Sequence, residues 1–240
     1  MSMTIPFFYI PSYDPQQTAV TLDEVNSKHA IQVLRSKKGD AIALTDGQGH
    51  LLRGVISEDH RKACVVQIES VELTPAPAAP VLLAVSPLKN TSRFEWLLEK
   101  VTEMGVHRII PLRCERTEKE KLRVDRLRSV LISALLQSRQ CWLPILEEPR
   151  SFSQLSQWAA LADHRCIAYC GESVKTPLAD WHPGRGSTLV CIGPEGDFTP
   201  KEHAQAVAAG FTTVQLGDHR LRTETAAMVA VALLTQRSGR

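Results

Sequence analysis

A proline-rich segment is the strongest constraint on how this chain of 240 residues can fold. The segment reads LTPAPAAP at residues 73–80. Because proline lacks the backbone N–H that a sheet needs and disrupts a helix interior, these residues predict a stiff linker. The length suits one large or two small domains, and the linker favours two. We therefore expect a first domain at 1–74, a linker at 75–80 and a second domain at 81–240.

The residues before the linker have the pattern of short strands and turns. Asp46-Gly47 lies between the apolar segments AIALT and HLLRGVIS, an arrangement typical of a β-hairpin. The segment VVQIESVEL continues with partial alternation. About 70 residues of this kind predict a compact β-barrel.

Strands and helices alternate after the linker. The runs VLLAVS, RIIPL, CIAY, TLVCIG and TTVQLG predict strands. Helical spacing of apolar residues predicts a helix through Phe94, Leu97, Leu98, Val101 and Met104. Further helices are predicted at Leu127–Leu136 and from about Glu224 to Gln236. This alternation predicts a mainly parallel α/β sheet.

One predicted helix carries both a start and a stop signal. In the segment TPKEHAQAVAAG, Thr199 is the expected N-cap, Pro200 the first helical residue and Glu202 the partner of a capping box. Gly210 marks the expected end.

Composition excludes several classes of protein. The chain is 43% hydrophobic and has 28 basic and 26 acidic residues, which argues against a disordered chain and against a uniformly basic surface. Positive charge is local: residues 89–128 hold 11 basic and 7 acidic side chains, whereas residues 1–80 hold 7 and 9. The basic stretch is either a solvated, salt-bridged helix pair or a surface that faces phosphates.

No segment predicts a membrane span or a signal peptide. The longest apolar run, Ala226–Leu234, has nine residues, and prolines interrupt the N-terminal apolar residues, so we expect a cytoplasmic protein. The six cysteines form no CxxC motif. Cys166 and Cys170 lie near His164, but we interpret both as core residues of a strand and expect no metal.

Three loops near the C-terminus are candidates for chemistry. They comprise residues 169–172, 192–198 and 216–226, and each follows a predicted strand. Ligands of open α/β sheets bind outside the carboxyl ends of the strands, where glycines let the backbone approach closely. The spacings of a dinucleotide fingerprint, a P-loop and a serine nucleophile elbow are missing from the sequence. GPEG alone is also an ordinary turn.

The combination of motifs is more specific. GPEGDFTPKE, followed by LGDHRLRTETA, resembles the SPOUT methyltransferases and in particular the RsmE family, which methylates N3 of a uridine (uridine 1498) in 16S rRNA. HAIQVLRSKKGDAIALTDGQG is similar to that family's N-terminal PUA-like barrel, and LKNTSRFEWLLEKVTEMGVHRIIPLRCERT to the start of its catalytic domain. SALLQSRQCWLP is similar to the helix that follows, so the resemblance covers essentially the whole chain.

The chain departs from the family pattern at three places. Ile5-Pro6-Phe7-Phe8 lacks the arginine that often neighbours the first aromatic pair. Asp197 replaces the last glycine of GPEGG, which suggests a changed loop or an extra acid near the site. Leu136-Gln137 stands where Glu-Gln is frequent.

The resemblance implies an α/β fold with a C-terminal deep trefoil knot, S-adenosyl-L-methionine bound in a bent form, and a homodimer active in rRNA processing and ribosome biogenesis. It implies that the three loops form the knot and the cofactor site. The expected cofactor-binding residues are Tyr169, Gly171, Glu172, Ile192, Gly193, Pro194, Glu195, Gly196, Leu216, Gly217, Leu221, Arg222, Thr223, Thr225 and Ala226.

The acceptor chemistry indicates further candidates. Uracil N3 carries a proton, so the site needs a base, or cations that stabilise the uracil anion, and the uracil must leave any stack or pair. Arg222 is the leading candidate for the cation, and His219 is an acid/base option. The candidate bases are Glu195, Asp197 and Glu224. Glu224 has an alternative as a first-turn carboxylate of the last helix, and Asp197 as a turn residue.

RNA contacts are expected from basic residues in both domains. The candidates are Arg35, Lys37, Lys38, Lys89, Arg93 and Arg116, with Lys119, Lys121 and Arg123 nearby. Two rival hypotheses remain: a SPOUT enzyme for another rRNA or tRNA nucleotide, and a non-catalytic RNA-binding ribosome-assembly protein.

Overall fold

The computed structural model describes residues 5–118 and 121–236. Within them the chain forms two compact units. The N-terminal unit holds residues up to Ala76 together with Leu135–Leu143, and the C-terminal unit holds Pro77–Ala134 and the residues from Pro144 onward. The proline-rich residues 74–80 are neither helix nor strand. The sequence pattern, in contrast, predicts that 135–143 belong wholly to the second domain.

The N-terminal unit is built on a mixed five-stranded sheet in the order β1-β3-β4-β5-β2. Its strands are β1 (Phe7–Tyr9), β2 (Ala19–Thr21), β3 (Ala41–Thr45), β4 (His50–Glu58) and β5 (Val65–Leu73). The predicted hairpin is confirmed, since β3 and β4 pair antiparallel around Asp46-Gly47. Phe8 from one edge strand and Val20 from the other lie in the same buried core cluster, so the sheet encloses that core.

A short helix in this unit was missed by sequence patterning. Helix α1 (Glu24–Lys28) begins at Asp23, whose side chain accepts a hydrogen bond from the Asn26 N–H. It continues into a π-helical turn at His29–Val33. Because Val25, Val33 and Leu34 are exposed, this segment lacks the apolar stripe by which amphipathic helices are recognised.

Residues 135–143 pack on the N-terminal unit through backbone hydrogen bonds. The Gly49 N–H donates to the Cys141 carbonyl at 2.8 Å, and the Leu143 N–H donates to the Gly47 carbonyl at 2.9 Å. The Trp142 indole N–H donates to the Thr74 carbonyl at 3.1 Å. These contacts pair residues 68 to 96 positions apart, so local sequence patterns did not predict them.

The C-terminal unit has a fully parallel sheet in the order β11-β13-β10-β12-β6-β7-β8, and β9 also pairs with β7. Its strands are β6 (Val81–Val85), β7 (Arg108–Arg113), β8 (Ile145–Leu146), β9 (Arg150–Ser151), β10 (His164–Ala168), β11 (Thr176–Pro177), β12 (Thr188–Ile192) and β13 (Thr212–Gln215). All five predicted strands and their parallel arrangement are confirmed. The three missed strands have two residues each, too few for any periodicity.

Helices connect these strands. They are α2 (Thr91–Glu103), α3 (Val124–Gln137), α4 (Leu155–Trp158), α5 (Pro200–Ala208) and α6 (Thr223–Thr235). Helix α2 buries Phe94, Leu97, Leu98 and Val101, as its spacing predicts. The predicted fifth residue of that face, Met104, is instead the half-buried C-cap, because the helix ends at Glu103. The α5 capping box is present: the Glu202 N–H donates to Thr199 Oγ1 at 3.2 Å, and the Thr199 N–H donates to Glu202 Oε2 at 2.9 Å.

The cysteine prediction holds for Cys166 and is wrong for Cys170. Cys166 is fully buried in β10, but that strand ends at Ala168, so Cys170 lies exposed in the following loop. Within 5–118 and 121–236 there is no group of three His, Cys, Asp or Glu side chains suited to a metal ion. In the same residues no helix has the length and apolar character needed to cross a membrane.

Candidate functional site

A cavity of about 800 Å³ opens at the carboxyl ends of β10, β12 and β13, which are neighbours in the sheet. Its walls come from the loops that follow these strands and from the first turns of α2 and α6. Consecutive parallel strands deliver their loops to one edge of a sheet, so the topology brings the three predicted loops together.

Most residues predicted to hold a cofactor line this cavity. They are Tyr169, Ile192, Gly193, Pro194, Glu195, Leu216, Gly217, Leu221, Arg222, Thr223 and Ala226. The other four lie outside its lining: Gly171, Glu172, Gly196 and Thr225. Gly171 instead leaves space for the Tyr169 side chain, because a Cβ there would lie 2.4 Å from the Tyr169 hydroxyl oxygen. Gly196 faces Arg116, whose guanidinium donates to the Gly196 carbonyl at 2.5 Å.

The cavity wall combines an apolar part with a charged part. The apolar side chains are Ala168, Ile192, Pro194, Val214, Leu216, Leu221 and Ala226. The cations are Arg93, Lys175, Arg220 and Arg222, and the carboxylates are Glu195, Asp197 and Asp218. Small-molecule sites combine an apolar surface with placed polar groups, and this wall offers both in about equal measure.

Glu224 has a different neighbourhood from the one expected of a base. It lies at the start of α6 and is 7% exposed, but it is outside the set of cavity-lining residues. Its Oε1 accepts hydrogen bonds from Arg93, at 3.0 Å from Nε and also from the terminal nitrogen. Oε2 is buried and has no hydrogen-bond partner among the described residues. Glu224 thus contacts the cavity through Arg93.

Side chains connect the three loops to one another. The Thr223 hydroxyl donates to the Gly193 carbonyl at 3.1 Å. Asp197 has a left-handed backbone with φ of 64°, a conformation that favours glycine and that aspartate tolerates better than most residues. The Cys170 N–H donates to Asp197 Oδ2 at 2.9 Å. Asp197 therefore adopts a conformation that glycine would also adopt, and its side chain adds a contact between two loops.

Tyr169 is held by ring stacking at the edge of the cavity. Its ring lies 4.0 Å from that of His203 on α5, with 9° between the planes. Nε2 of His203 shares a hydrogen bond of 2.8 Å with the Thr213 hydroxyl. Burial lowers the pKa of His203 below its ordinary value, so the ring is neutral at pH 7. Burial, followed by the Asp197 carboxylate, raises the pKa of the Cys170 thiol.

The residues predicted to contact RNA lie in several places. Arg35, Lys37 and Lys38 are exposed in the N-terminal unit, and Lys121 and Arg123 are exposed in the other unit. Lys119 lies outside the described residues.

The basic stretch around α2 is partly salt-bridged. Lys89 pairs with Glu118 at 2.8 Å, which raises the pKa of Lys89, and Arg126 pairs with Glu95 at 2.8 Å. Arg93 lines the cavity instead of an open surface. The salt-bridged interpretation is therefore confirmed for Lys89 and Arg126, and the phosphate-facing interpretation stays a prediction.

Several cavity residues were not among the predicted site residues. They are Ala168, Cys170, Lys175, Val214, Gln215, Asp218 and Arg220. All but Lys175 lie in or beside the three loops. Their position at the predicted strand ends could have identified them as part of the site. Lys175 lies beyond the first loop, where no motif marks it.

Comparisons with known proteins agree with this architecture. The RNA methyltransferase domain family matches residues 74–235, and the RNA methyltransferase PUA domain family matches residues 22–69. The ribosomal RNA small subunit methyltransferase E of Mycobacterium bovis is 30% identical over 98% of this chain and 94% of its own length.

Two solved structures share the fold of the whole chain. A probable rRNA-methyltransferase from Porphyromonas gingivalis has a TM-score of 0.87 at 34% identity and covers 98% of this chain and 99% of its own. The ribosomal RNA small subunit methyltransferase E of Neisseria gonorrhoeae, solved bound to S-adenosyl methionine, has a TM-score of 0.83 at 27% identity and covers 98% of both chains.

The parallel sheet, the loops at its carboxyl edge and the PUA-like N-terminal unit together define the class: RNA methyltransferases with a PUA domain. Within that class the chain belongs to the ribosomal RNA small subunit methyltransferase E family, the RsmE family that its loop motifs resemble.

Proposed function

We propose that this protein is a S-adenosyl-L-methionine-dependent methyltransferase that methylates N3 of a uridine, uridine 1498, in the 16S rRNA of the small ribosomal subunit. The observation that carries the proposal is the cavity at the carboxyl ends of β10, β12 and β13, where the three predicted loops meet beside four cationic side chains. The RsmE relatives supply the substrate class, and the acceptor atom comes from the resemblance.

The cavity fits the cofactor in size and in the character of its wall. About 800 Å³ is ample for a molecule of this size, and the apolar part of the wall offers a dry surface for an adenine. Gly193 allows close packing of the loop, since a Cβ there would lie 3.1 Å from Phe198. When bound, S-adenosyl-L-methionine supplies an electrophilic methyl group on a sulfonium and requires no metal. The residues expected to hold it are the eleven predicted ones that line the cavity.

The proposed knot accords with the way the loops contact each other. Strand β10 lies between β12 and β13 although it precedes both in the chain. The loops after these three strands are linked by the Asp197–Cys170 and Thr223–Gly193 hydrogen bonds. A knotted arrangement of these loops would bring the backbone groups of all three to one ligand.

Uracil N3 becomes nucleophilic when its proton leaves, so the chain must accept that proton and stabilise the negative charge. We assign Arg222 to the uracil oxygens, because it is exposed and lines the cavity. Glu195 is the proposed base, since its exposed carboxylate lines the same cavity. We assign Glu224 to the positioning of Arg93, whose guanidinium adds a second cation beside the acceptor.

The remaining parts of the proposal concern partners. Arg35, Lys37 and Lys38 form an exposed basic group on the PUA-like unit, suited to phosphates. Helix α6 has apolar residues around its whole circumference, and Met228, Val229 and Leu233 are only half-buried. A second copy of the chain would cover them, in line with the homodimer that the resemblance implies.

The decisive experiment incubates the purified protein with small ribosomal subunits and, separately, with naked 16S rRNA from a strain that lacks the corresponding gene. Methyl groups are supplied as radiolabelled S-adenosyl-L-methionine, and reverse transcription maps the product, because N3 methylation blocks base pairing and stops the polymerase. We expect a stop at the target uridine only after incubation with the wild-type protein. A stop at another nucleotide of the rRNA would favour the first rival hypothesis, and no incorporation would favour the non-catalytic one.

A matched pair of variants tests the assignment of Arg222. Arg222→Ala is expected to lower turnover about a hundredfold while the unfolding midpoint stays unchanged, because the side chain is exposed. Arg185→Ala removes another exposed arginine, away from the cavity, and controls for the loss of charge. Equal turnover in the two variants would remove Arg222 from the mechanism.

A further inference from the structure

The backbone of Cys170 is held on both sides by charged side chains. Its N–H donates to Asp197 Oδ2 at 2.9 Å, and its carbonyl accepts from Lys175 Nζ at 3.2 Å. Strand β10 ends at Ala168, so these bonds hold a loop that has left the sheet. Hydrogen bonds that involve an ionised group are stronger than neutral ones. We call this arrangement the Cys170 clamp.

Asp197 adopts an unusual backbone conformation within the clamp. Its φ of 64° is a conformation that glycine adopts freely and that strains most other residues. An aspartate there gains two contacts in return: Oδ2 accepts from the Cys170 N–H, and Oδ1 accepts from the Phe198 N–H at 2.8 Å. The side chain thus fixes its own loop and the neighbouring loop at once.

The clamped loop is also a wall of the cavity. Tyr169, Cys170, Lys175 and Asp197 all line it. The Tyr169 ring is stacked on His203, and Gly171 leaves the space in which that ring lies. A loop that is already ordered spares a ligand the entropy cost of ordering it on binding.

We propose that Asp197 and Lys175 are positioning residues that pre-order the loop after β10 and thereby set the affinity of the cavity for S-adenosyl-L-methionine, an inference that rests on the proposed function. Neither side chain takes part in a bond-making step. Their effect is on the ligand's dissociation constant, through the Cys170 backbone that both contact.

The first test needs no cofactor. Amide hydrogen exchange of Cys170 is measured by NMR on the purified full-length chain. Asp197→Gly keeps the left-handed backbone, removes the acceptor and is expected to speed exchange about tenfold. Asp197→Asn retains an amide oxygen and should give an intermediate rate. Asp218→Asn removes a carboxylate from the same cavity and should leave the Cys170 rate unchanged. Unchanged exchange in Asp197→Gly would overturn the clamp.

The second test is calorimetric titration with S-adenosyl-L-methionine. We expect Asp197→Gly to weaken binding about tenfold, and Asp197→Asn to weaken it more than Asp218→Asn, which makes the same change of charge. Lys175→Met should also weaken binding, and the double variant with Asp197→Asn should lose less than the product of the two single losses, because both act on one residue's backbone.

The possible failures are distinguishable. If the wild-type protein shows no heat with S-adenosyl-L-methionine, the proposed function fails, whereas the exchange result for Cys170 is unaffected. If the wild type binds and Asp197→Gly binds equally well, the role of the clamp is overturned and the proposed function stands. Fully multiplicative losses in the double variant would show that Asp197 and Lys175 act separately and would also overturn it.

Discussion

Arg93 and Glu224 show what single residues contribute at this site. They are 131 positions apart, and Glu224 holds the Arg93 guanidinium at the cavity wall. The sequence identifies both residues as functional candidates: Arg93 for RNA contact and Glu224 as a base. Spacing along the chain carries no information about a pair so distant, so their ion pair could not be predicted. The left-handed backbone at Asp197 is a similar case, because the departure from glycine was visible and its hydrogen bond to Cys170 was not.

The ion pair gives a prediction for Glu224→Gln. The change keeps the shape and removes the charge that orients Arg93, so we expect turnover to fall at least tenfold. The free energy of unfolding should fall by about 2 kcal/mol, since a buried charge-assisted hydrogen bond is weakened. Methyl-transfer kinetics and urea denaturation measure the two effects.

Glu95→Gln is the matched control on helix α2. Glu95 pairs with Arg126, whose side chain is 54% exposed, so its loss should cost below about 1 kcal/mol and leave turnover unchanged. If Glu224→Gln and Arg93→Ala give losses in turnover that simply multiply in the double variant, the two residues act independently and the positioning role is wrong.

At the scale of elements, predictability followed the length and locality of the signal. Helix α5 was predicted from Thr199, Glu202 and Gly210, all within one short segment, and its capping box is confirmed. The five longer strands of the C-terminal sheet were predicted from apolar runs. The two-residue strands and the π-helical turn at His29–Val33 have no periodicity to detect. The same holds for the site. Most of the residues that line the cavity were predicted from their position at strand ends, whereas no local sequence pattern predicts Lys175.

The contact between α5 and the loop after β10 predicts a pH dependence. Burial lowers the pKa of His203 in the folded protein, so the unfolded chain binds a proton there at higher pH than the folded chain does. The contribution of the neutral His203 ring to the free energy of unfolding is therefore fully present above the unfolded pKa of about 6.5. It declines as the pH falls from there toward the folded pKa. Urea denaturation at pH 7.5 and pH 5.5 measures the decline.

His203→Phe is the comparison for this measurement, because it keeps a ring against Tyr169 and cannot titrate. Its free energy of unfolding should fall less between the two pH values than that of the wild type. His107, whose pKa is also lowered by burial, is present in both proteins and cancels in the difference. Parallel pH curves for the two proteins would contradict the assignment to His203.

At the scale of the whole molecule, the proline-rich segment predicts the place where the N-terminal strands end, and residues 135–143 show the limit of that reasoning. The linker is a local signal, whereas the return of 135–143 to the N-terminal unit depends on contacts between distant residues. Gly49 allows residues 135–143 to pack closely in the N-terminal unit. Its φ is 97°, and a Cβ at this position would lie 2.6 Å from the Trp142 ring. The segment therefore has a steric requirement that only the folded structure reveals.

Gly49→Ala and Gly39→Ala separate this requirement from the cost of the backbone alone. Both glycines have a positive φ, but a Cβ at Gly39 would meet no atom within 4 Å. Gly39→Ala should cost about 1–2 kcal/mol from the left-handed conformation. Gly49→Ala should cost about 1–3 kcal/mol more, because the methyl group displaces Trp142 from the N-terminal unit. Urea denaturation of the full-length chain measures both, and equal losses would show that the methyl group at position 49 does not displace Trp142.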